Sequence, residues 1–509
     1  MTISRRGALA GAGAFVLARP AAAQGPLTLE PTGEGRTLPQ RSSSGASVEA
    51  EYEILIGDAA KTASLAPLAL AYTRFPGGTP SNYYEWRSGH FLLEAKPESS
   101  QYSKAMAAIF PGINRAFKDG LRFEDYLAFS TSLGAEPILV ANTTTSTPEE
   151  QAAWMADLAA KGAGPKLVEM GNEPWIAEAG DPDLVRRWPD SPTEQAVVKT
   201  YVGAMRPHLP EDVKICVEAA PGEFARWLKR GEGYFTPRLD AWNREMEAAD
   251  WFDAVAPHHY SSPGALLPSV DPAILADEVA LAKAFDALMA CWDDGLHASL
   301  TELERQFPGK EIWVTEWNPR GGEPPDASGK LPTHFEPTPT FMLHATARAL
   351  FGYLRHASVT AHNFFMFNFF DSPWCCMRPD GTGGYGPEPH GLAVSWFAQA
   401  TAGAPHYRRM IEKAPRIASP YLAGQSYGAV EAAHLQHREG ATLLVQNAAP
   451  ASRALALGDL SKGKPAMAET LSLPHMADAE RRIAAPHPIE AGASVELPAY
   501  SLTRILWRG

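Results

Sequence analysis

Between residues 48 and 405 the chain alternates short β-type runs with longer helix-compatible stretches, and this βα rhythm constrains the fold more than any other feature. The candidate strands are "SVEAEYEILI", "LALAYTRF" (Leu68 to Phe75), "EPILVAN" (Glu136 to Asn142), "KLVEMG", "VKICVEA" (Val213 to Ala219), "FDAVAPH" (Phe252 to His258), "EIWVTEW" (Glu311 to Trp317) and "AHNFFMFNFF" (Ala361 to Phe370). Eight strands with intervening helices predict a closed (β/α)8 TIM barrel. An open doubly wound sheet is the competing topology, but no Gly-rich phosphate loop follows the first strand. After Pro405 the character changes to short alternating strands such as "YGAVEAAHLQH", "ATLLVQNAA" and "SVELPAYSLTRILW", the pattern of a C-terminal β-sandwich domain. The expected division is a barrel over 48–405 and a sandwich over 406–509, to which the Pro-, Gly- and Ser-rich segment 24–47 adds a strand.

Residues 1–23 read as a bacterial export signal. Ser4-Arg5-Arg6 precedes a mildly apolar run ending in "RPAAAQ" with small residues at Ala21 and Ala23, a twin-arginine pattern. The run falls short of the roughly 20 apolar residues that span a bilayer, and no later segment is long and apolar enough, so stable membrane insertion is not expected. The expected location is periplasmic or secreted. Formal net charge is -13, and the signal's three cations (Arg5, Arg6, Arg19) leave the mature chain more acidic still. Such a charge argues against binding nucleic acid or an anionic polysaccharide by bulk attraction. Cys216, Cys291, Cys375 and Cys376 have no C-x-x-C spacing; Cys216 reads as a buried thiol, and the adjacent pair as either a vicinal disulfide or two thiols.

In a (β/α)8 barrel the chemistry is carried at the C-terminal ends of the strands. Glu173, in "KLVEMGNEPW", follows the fourth candidate strand, and Glu316 ends the seventh. Closing the barrel would bring both to its mouth. Two facing carboxylates are what cleavage of a glycosidic bond requires, one protonating the departing oxygen and the other attacking the anomeric carbon or activating water. Glu173 is the expected acid/base and Glu316 the expected nucleophile. The plainer reading of Glu173 is a first-turn helix residue beside Pro174, and of Glu316 a solvated strand end.

"GNEPW" and "IWVTEWN" resemble the acid/base and nucleophile segments of clan A retaining glycoside hydrolases. "TRFPGGTPSNYYEW" (Thr73 to Trp86) resembles the second-strand segment of α-L-arabinofuranosidases and heparanase-like β-glucuronidases, and "FDAVAPHHY" the sixth-strand His-x-Tyr of the same group and of β-xylosidases. The likeness implies that Asn172 binds the sugar hydroxyl next to the anomeric centre, that Tyr260 donates a hydrogen bond to Glu316, and that Arg74 keeps Glu316 ionised. The chain departs from arabinofuranosidases at Thr79, where they usually carry Asn after Pro-Gly-Gly.

By strand alternation His258 shares the pocket face with Tyr260 and contacts the sugar, while His259 packs on the opposite face. Trp86, Trp175, Trp317 and Trp374 lie near strand ends; Trp175 and Trp317, beside the catalytic motifs, are the expected stacking platforms. Asn142 ends strand three, either contacting substrate or capping a turn. The long Pro- and Gly-rich stretches Asn318 to Thr340 and "DSPWCCMRPDGTGGYGPEPHG" are expected to shape the pocket. The sequence thus predicts an exported retaining glycosidase acting on an oligo- or polysaccharide, with no metal and no cofactor implied. A transglycosidase using the same residues and a non-catalytic carbohydrate-binding pseudo-enzyme are the alternatives.

Overall fold

The computed structural model describes residues 26–39, 42–47, 58–94, 96–176, 182–221, 237–246, 249–261, 277–319, 338–365, 375–379, 384–461, 464–473, 476 and 482–508. Eight parallel strand positions close on themselves: Ser44–Ser47, Tyr72–Phe75, Glu136–Ala141, Leu167–Met170, Lys214–Glu218, Ala254–Ala256 continued by His258–Tyr260, Glu311–Asn318 and Val359–Phe365, the last pairing back to the first. The sixth strand is interrupted at Pro257, which has no N–H to give a ladder.

The first strand differs from the expectation. The run "SVEAEYEILI" lies, after Ser47, outside the described residues, and the barrel strand is the preceding Ser44–Ser47, so the barrel sheet begins inside the segment assigned to the sandwich. This stretch, Ser-Gly-Ala-Ser, carries no hydrophobic signal. It fits because a side chain at Gly45 would collide with Asn363 and with Tyr72, so only glycine lets the neighbouring strands close here.

Helices pack outside the strands, and their starts follow local rules. Pro148–Ala160, Ser191–Met205 and Pro339–Arg355 are capped by the side chains of Thr147, Asp190 and Thr338, each with proline in the first turn. Outward strand residues such as Phe75, Leu139, Val168, Met170, Val217 and Val314 join the helices in one core. Inside the barrel Ile138, Cys216, Ala254, Ala256, Trp313 and Ala361 form a separate apolar plug below the mouth. All four cysteines are buried free thiols.

The second domain is built on a seven-stranded antiparallel sheet in the order Leu29–Thr37, His406–Glu412, Val430–His437, Gly440–Asn447, Ser501–Arg508, Ala466–Ser472, Arg482–Ile489. One face packs on barrel helices. The other is covered by the two-stranded layer Arg453–Ala456 with Ser494–Leu497, to which Leu27 bridges. "SVELPAYSLTRILW" is therefore two strands in two sheets, parted at Pro498 and Tyr500, the latter at φ +47°. Between barrel and sheet lies a buried ion network: Arg348 pairs with Asp293 and Glu431, and Arg409 with Glu431 at 2.7 Å. Among the described residues no helix is long and apolar enough to cross a membrane.

Candidate active site

The fourth strand alternates Leu167 inward, Val168 outward, Glu169 inward and Met170 outward. It then turns through Gly171 at φ +88°, where a side chain would lie 2.6 Å from Thr143 Oγ1. Glu173 follows at φ +50°, an uncommon conformation for a residue with a Cβ. Its main-chain N–H is held at 3.2 Å by the buried carboxylate of Glu218, so the turn is anchored from inside the barrel.

Glu316 reaches the same space by a different device. On the seventh strand Ile312 and Val314 face outward into the helix core and Trp313 faces inward, so strict alternation would turn Glu316 outward. The register shows an extra residue: Glu311 pairs with Ala254, yet Glu316 pairs with His258, five residues on one strand against four on the other. The eighth strand records the same bulge between Val314 and Trp317. The bulge aims Glu316 into the mouth and sends Trp317 out.

One oxygen of Glu173, one of Glu316 and a ring nitrogen of His258 all lie within 4.8 Å of one another. Glu316 is held at both oxygens, by Arg74 Nη1 on one and the Tyr260 hydroxyl on the other. Arg74, fully buried, also binds Glu169 through Nε at 3.0 Å and Nη2 at 2.6 Å, and donates from Nη2 to Asn172 Oδ1 at 2.8 Å. Asn172 is further fixed through its carbonyl by Asn82 Nδ2 at 3.1 Å, which leaves its own amide N–H groups with no protein partner among the described residues. Glu173 is the most open of the acids, its side chain 16% exposed.

His258 stands at the centre, with Nδ1 2.9 Å from Glu173 and Nε2 3.0 Å from Thr315 Oγ1, whose hydroxyl donates to Glu169 at 3.0 Å. Burial opposes a charge on this imidazole, but the carboxyl groups around it, Glu316 foremost, and the hydrogen bond to Glu173 raise it well above its ordinary value. Glu169 and Glu218 diverge although both are fully buried. Burial would raise Glu169, but Arg74 and the hydrogen bonds from its neighbours bring it down to about 2. Burial pushes Glu218 well above the usual carboxylate range, against the pull of His258. Glu169, Glu218 and His258, like Glu173, His258 and Glu316, have donor atoms close enough to surround a cation. Arg74 already bonds Glu169 and Glu316, and both ring nitrogens of His258 are engaged, so the donors are organised around that guanidinium.

Several expected contacts are placed otherwise. Trp317 is fully buried among Trp292, Tyr353 and Phe364, on the outer side of the strand, and cannot stack on a sugar. Asn142 caps a turn, its Oδ1 accepting from Thr144 and Thr145 N–H and its Nδ2 donating to the Tyr84 carbonyl, so its polar atoms are taken. His258 is 1% exposed, with Nδ1 engaged by Glu173 and Nε2 by Thr315. Trp175 lies edge-on to the His258 ring, centroids 6.2 Å apart, with its indole N–H unpartnered among the described residues. His259 faces away and stacks on Tyr353. Trp374, residues 371–373 and 380–383 of the second long loop and most of the first fall outside the described residues. Glu169, Glu218 and Thr315 were not anticipated, although a carboxylate at an inward position of an apolar parallel strand was a readable signal.

No family model matches the chain and no curated protein matches it. Solved structures do. A family 51 arabinofuranosidase from Xanthomonas axonopodis pv. citri superposes with a TM-score of 0.63 at 16% identity, covering 94% of this chain and 99% of that one. A family 51 α-L-arabinofuranosidase from Bifidobacterium longum gives 0.64 at 14%, covering 95% and 100%. A 4-O-α-L-rhamnosyl-β-D-glucuronidase from Fusarium oxysporum 12S gives 0.53 at 13%, covering 94% and 100%. Over both domains, then, this chain has the fold of these glycoside hydrolases.

Proposed function

We propose that the protein is a retaining glycoside hydrolase in which Glu316 is the nucleophile and Glu173 the acid/base. The observation that carries this reading is the convergence of the two carboxylates, within 4.8 Å at their nearer oxygens, a spacing suited to direct attack and too close to admit the water of an inverting mechanism. Glu316 attacks the anomeric carbon as Glu173 gives its proton to the departing glycosidic oxygen, leaving a glycosyl ester on Glu316. Water then donates a proton to Glu173 and attacks the same carbon, releasing the sugar with its original configuration.

The surrounding residues support the roles. Arg74 and Tyr260 fix both oxygens of Glu316 in one orientation. The free amide of Asn172 is placed to hold the hydroxyl beside the anomeric centre, a contact that strengthens as positive charge develops on the ring. His258 shares a hydrogen bond with Glu173, the group that gives up and recovers the proton in this reading. The twin-arginine pattern at Arg5 and Arg6 supports an activity outside the cytoplasm, on a carbohydrate met there.

The test is a panel of aryl glycosides of arabinofuranose, xylose, glucuronate, glucose, galactose and fucose, with the first-formed anomer read by NMR. Glu173→Gln and Glu316→Ala should each lose at least roughly a thousandfold in turnover on the substrate found. Near-normal turnover in either variant, or an inverted product, refutes the assignment. Added sugar acceptor separates hydrolysis from transglycosylation.

A further inference from the structure

We propose that the end of the seven-stranded sheet carries a second, non-catalytic site for a carboxylate-bearing saccharide. A cavity of about 730 Å³ opens there, lined from five adjacent strands and from the connection that carries Leu460 and Lys464. None of its lining residues belongs to a barrel strand. Cross-strand pairing of Arg408 with His434, His406 with Gln436, and Ala441 with Trp507 sets these side chains on the face turned away from the barrel. The same face carries Leu443 and Ile505 under the short second layer. The cavity lies where that layer leaves the sheet uncovered.

Its charge is segregated. The lining includes five Lys or Arg residues and two His but no Asp or Glu, in a chain whose net charge is -13. The side chains of Arg408, Arg438, Lys464 and Arg508 make no hydrogen bond or ion pair with any described residue. Elsewhere in the domain arginines are matched: Arg409 by Glu431, Arg416 by Asp294, Arg453 by Glu412 and Arg504 by Glu469. Unmatched cations gathered around one concavity repel one another unless an anion joins them.

The second observation is Trp507. It is 5% exposed, lines the cavity, and buries an indole N–H that has no hydrogen-bond partner among the described residues. Its ring lies 6.4 Å from that of His434. An unsatisfied buried donor beside an aromatic pair asks for a ligand with oxygen acceptors and a C–H face, and the cations ask for negative charge. A uronic-acid oligosaccharide supplies all three, whereas inorganic phosphate lacks the apolar face and a neutral sugar the charge. The overall acidity of the chain disfavours such a polymer everywhere except at this patch. The inference does not depend on the catalytic reading.

Isothermal titration tests it on the Glu173→Gln protein, with a galacturonic acid tetramer, the neutral xylose tetramer and sodium phosphate as separate probes. The acidic tetramer is expected to bind, more weakly as salt rises, and the double substitution Arg408→Ala/Lys464→Ala to weaken it by about tenfold or more through loss of two charge-assisted contacts. Both positions are exposed, and the double variant built in the active enzyme should turn over its aryl glycoside normally. Absence of binding, binding unchanged by the double substitution, equal binding of the xylose tetramer, or equally tight phosphate binding, an adventitious ion only, each overturns the proposal. A glycosidase assay that finds no activity would leave the titration result standing, so the two readings fail separately.

Discussion

Gly78 offers a way to move Glu316, the proposed nucleophile, without removing it. A Cβ built on Gly78 would sit 2.5 Å from Glu316 Oε1, with Arg74 Nη1 at 3.7 Å. Ordinary contact begins near 3.4 Å, so in Gly78→Ala the carboxylate must retreat by about 0.9 Å, at the expense of its bonds to Arg74 or Tyr260. A misplacement of about 1 Å at a reacting atom costs roughly a hundredfold in rate, or about 2.7 kcal/mol in the barrier. The expected outcome is kcat lowered by about that factor with KM and the thermal midpoint little changed, because the added methyl meets the carboxylate rather than a packed core. The loss falls on attack, so it should persist with a dinitrophenyl glycoside whose leaving group needs no proton. Glu173→Gln, by contrast, should be relieved by that leaving group. Steady-state kinetics on the two substrates read the difference. A kcat within about threefold of wild type for Gly78→Ala would show that Glu316 is not held where the chemistry needs it, and would refute the reasoning.

Trp317→Phe should lower stability by about 1–3 kcal/mol, the cost expected when a packed site is reshaped, seen as a lower thermal midpoint, and leave KM unchanged; a raised KM at full stability would return Trp317 to the pocket. Burial holds His259, His344 and His362 near 3, so the unfolded chain binds protons below pH about 6.5 that the native state refuses until about pH 3. Stability should therefore fall as pH drops through that window, and His344→Phe should flatten the slope of thermal midpoint against pH; an unaltered slope would exclude His344 as a contributor. For His258, Glu316 is the largest of the charges that raise it, so trapping Glu316 as a 2-fluoroglycosyl ester should move the loss of its proton to lower pH. Imidazole 15N shifts in free and trapped protein measure this, and coincident titrations would sever His258 from Glu316.

The same charge counting explains why so acidic a barrel interior folds. Glu169, Glu218, Glu173 and Glu316 surround only two basic groups, Arg74 and His258. Full ionisation of four carboxyls in a dry cavity would far outweigh the attraction to two cations. Burial relieves this by holding Glu218 well above the usual carboxylate range while Arg74 draws Glu169 down, so negative charge is favoured on the carboxyl matched to Arg74. Glu218 also accepts from the Glu173 N–H, so one buried acid serves both the charge balance and the turn that carries Glu173.

Much of this site could be read from the sequence because its parts sit at strand ends, where topology alone assigns them to the mouth. Glu173, Asn172, Arg74, Tyr260 and Glu316 converge for that reason. What failed was side-chain direction on the seventh strand. Alternation puts Glu316 on the outward face of Ile312 and Val314, and Trp317 inward, the reverse of the structure. A single extra residue flips parity for everything after it, and nothing in "EIWVTEWN" marks where that residue lies, since bulge formation is decided by pairing with two neighbouring strands. Ser44–Ser47 was missed for a related reason: its place in the barrel depends on what Gly45 lacks against Asn363 and Tyr72, not on a pattern of its own. The position of a functional group along the chain was thus a local property, open to inspection, while its direction belonged to the closed sheet as a whole.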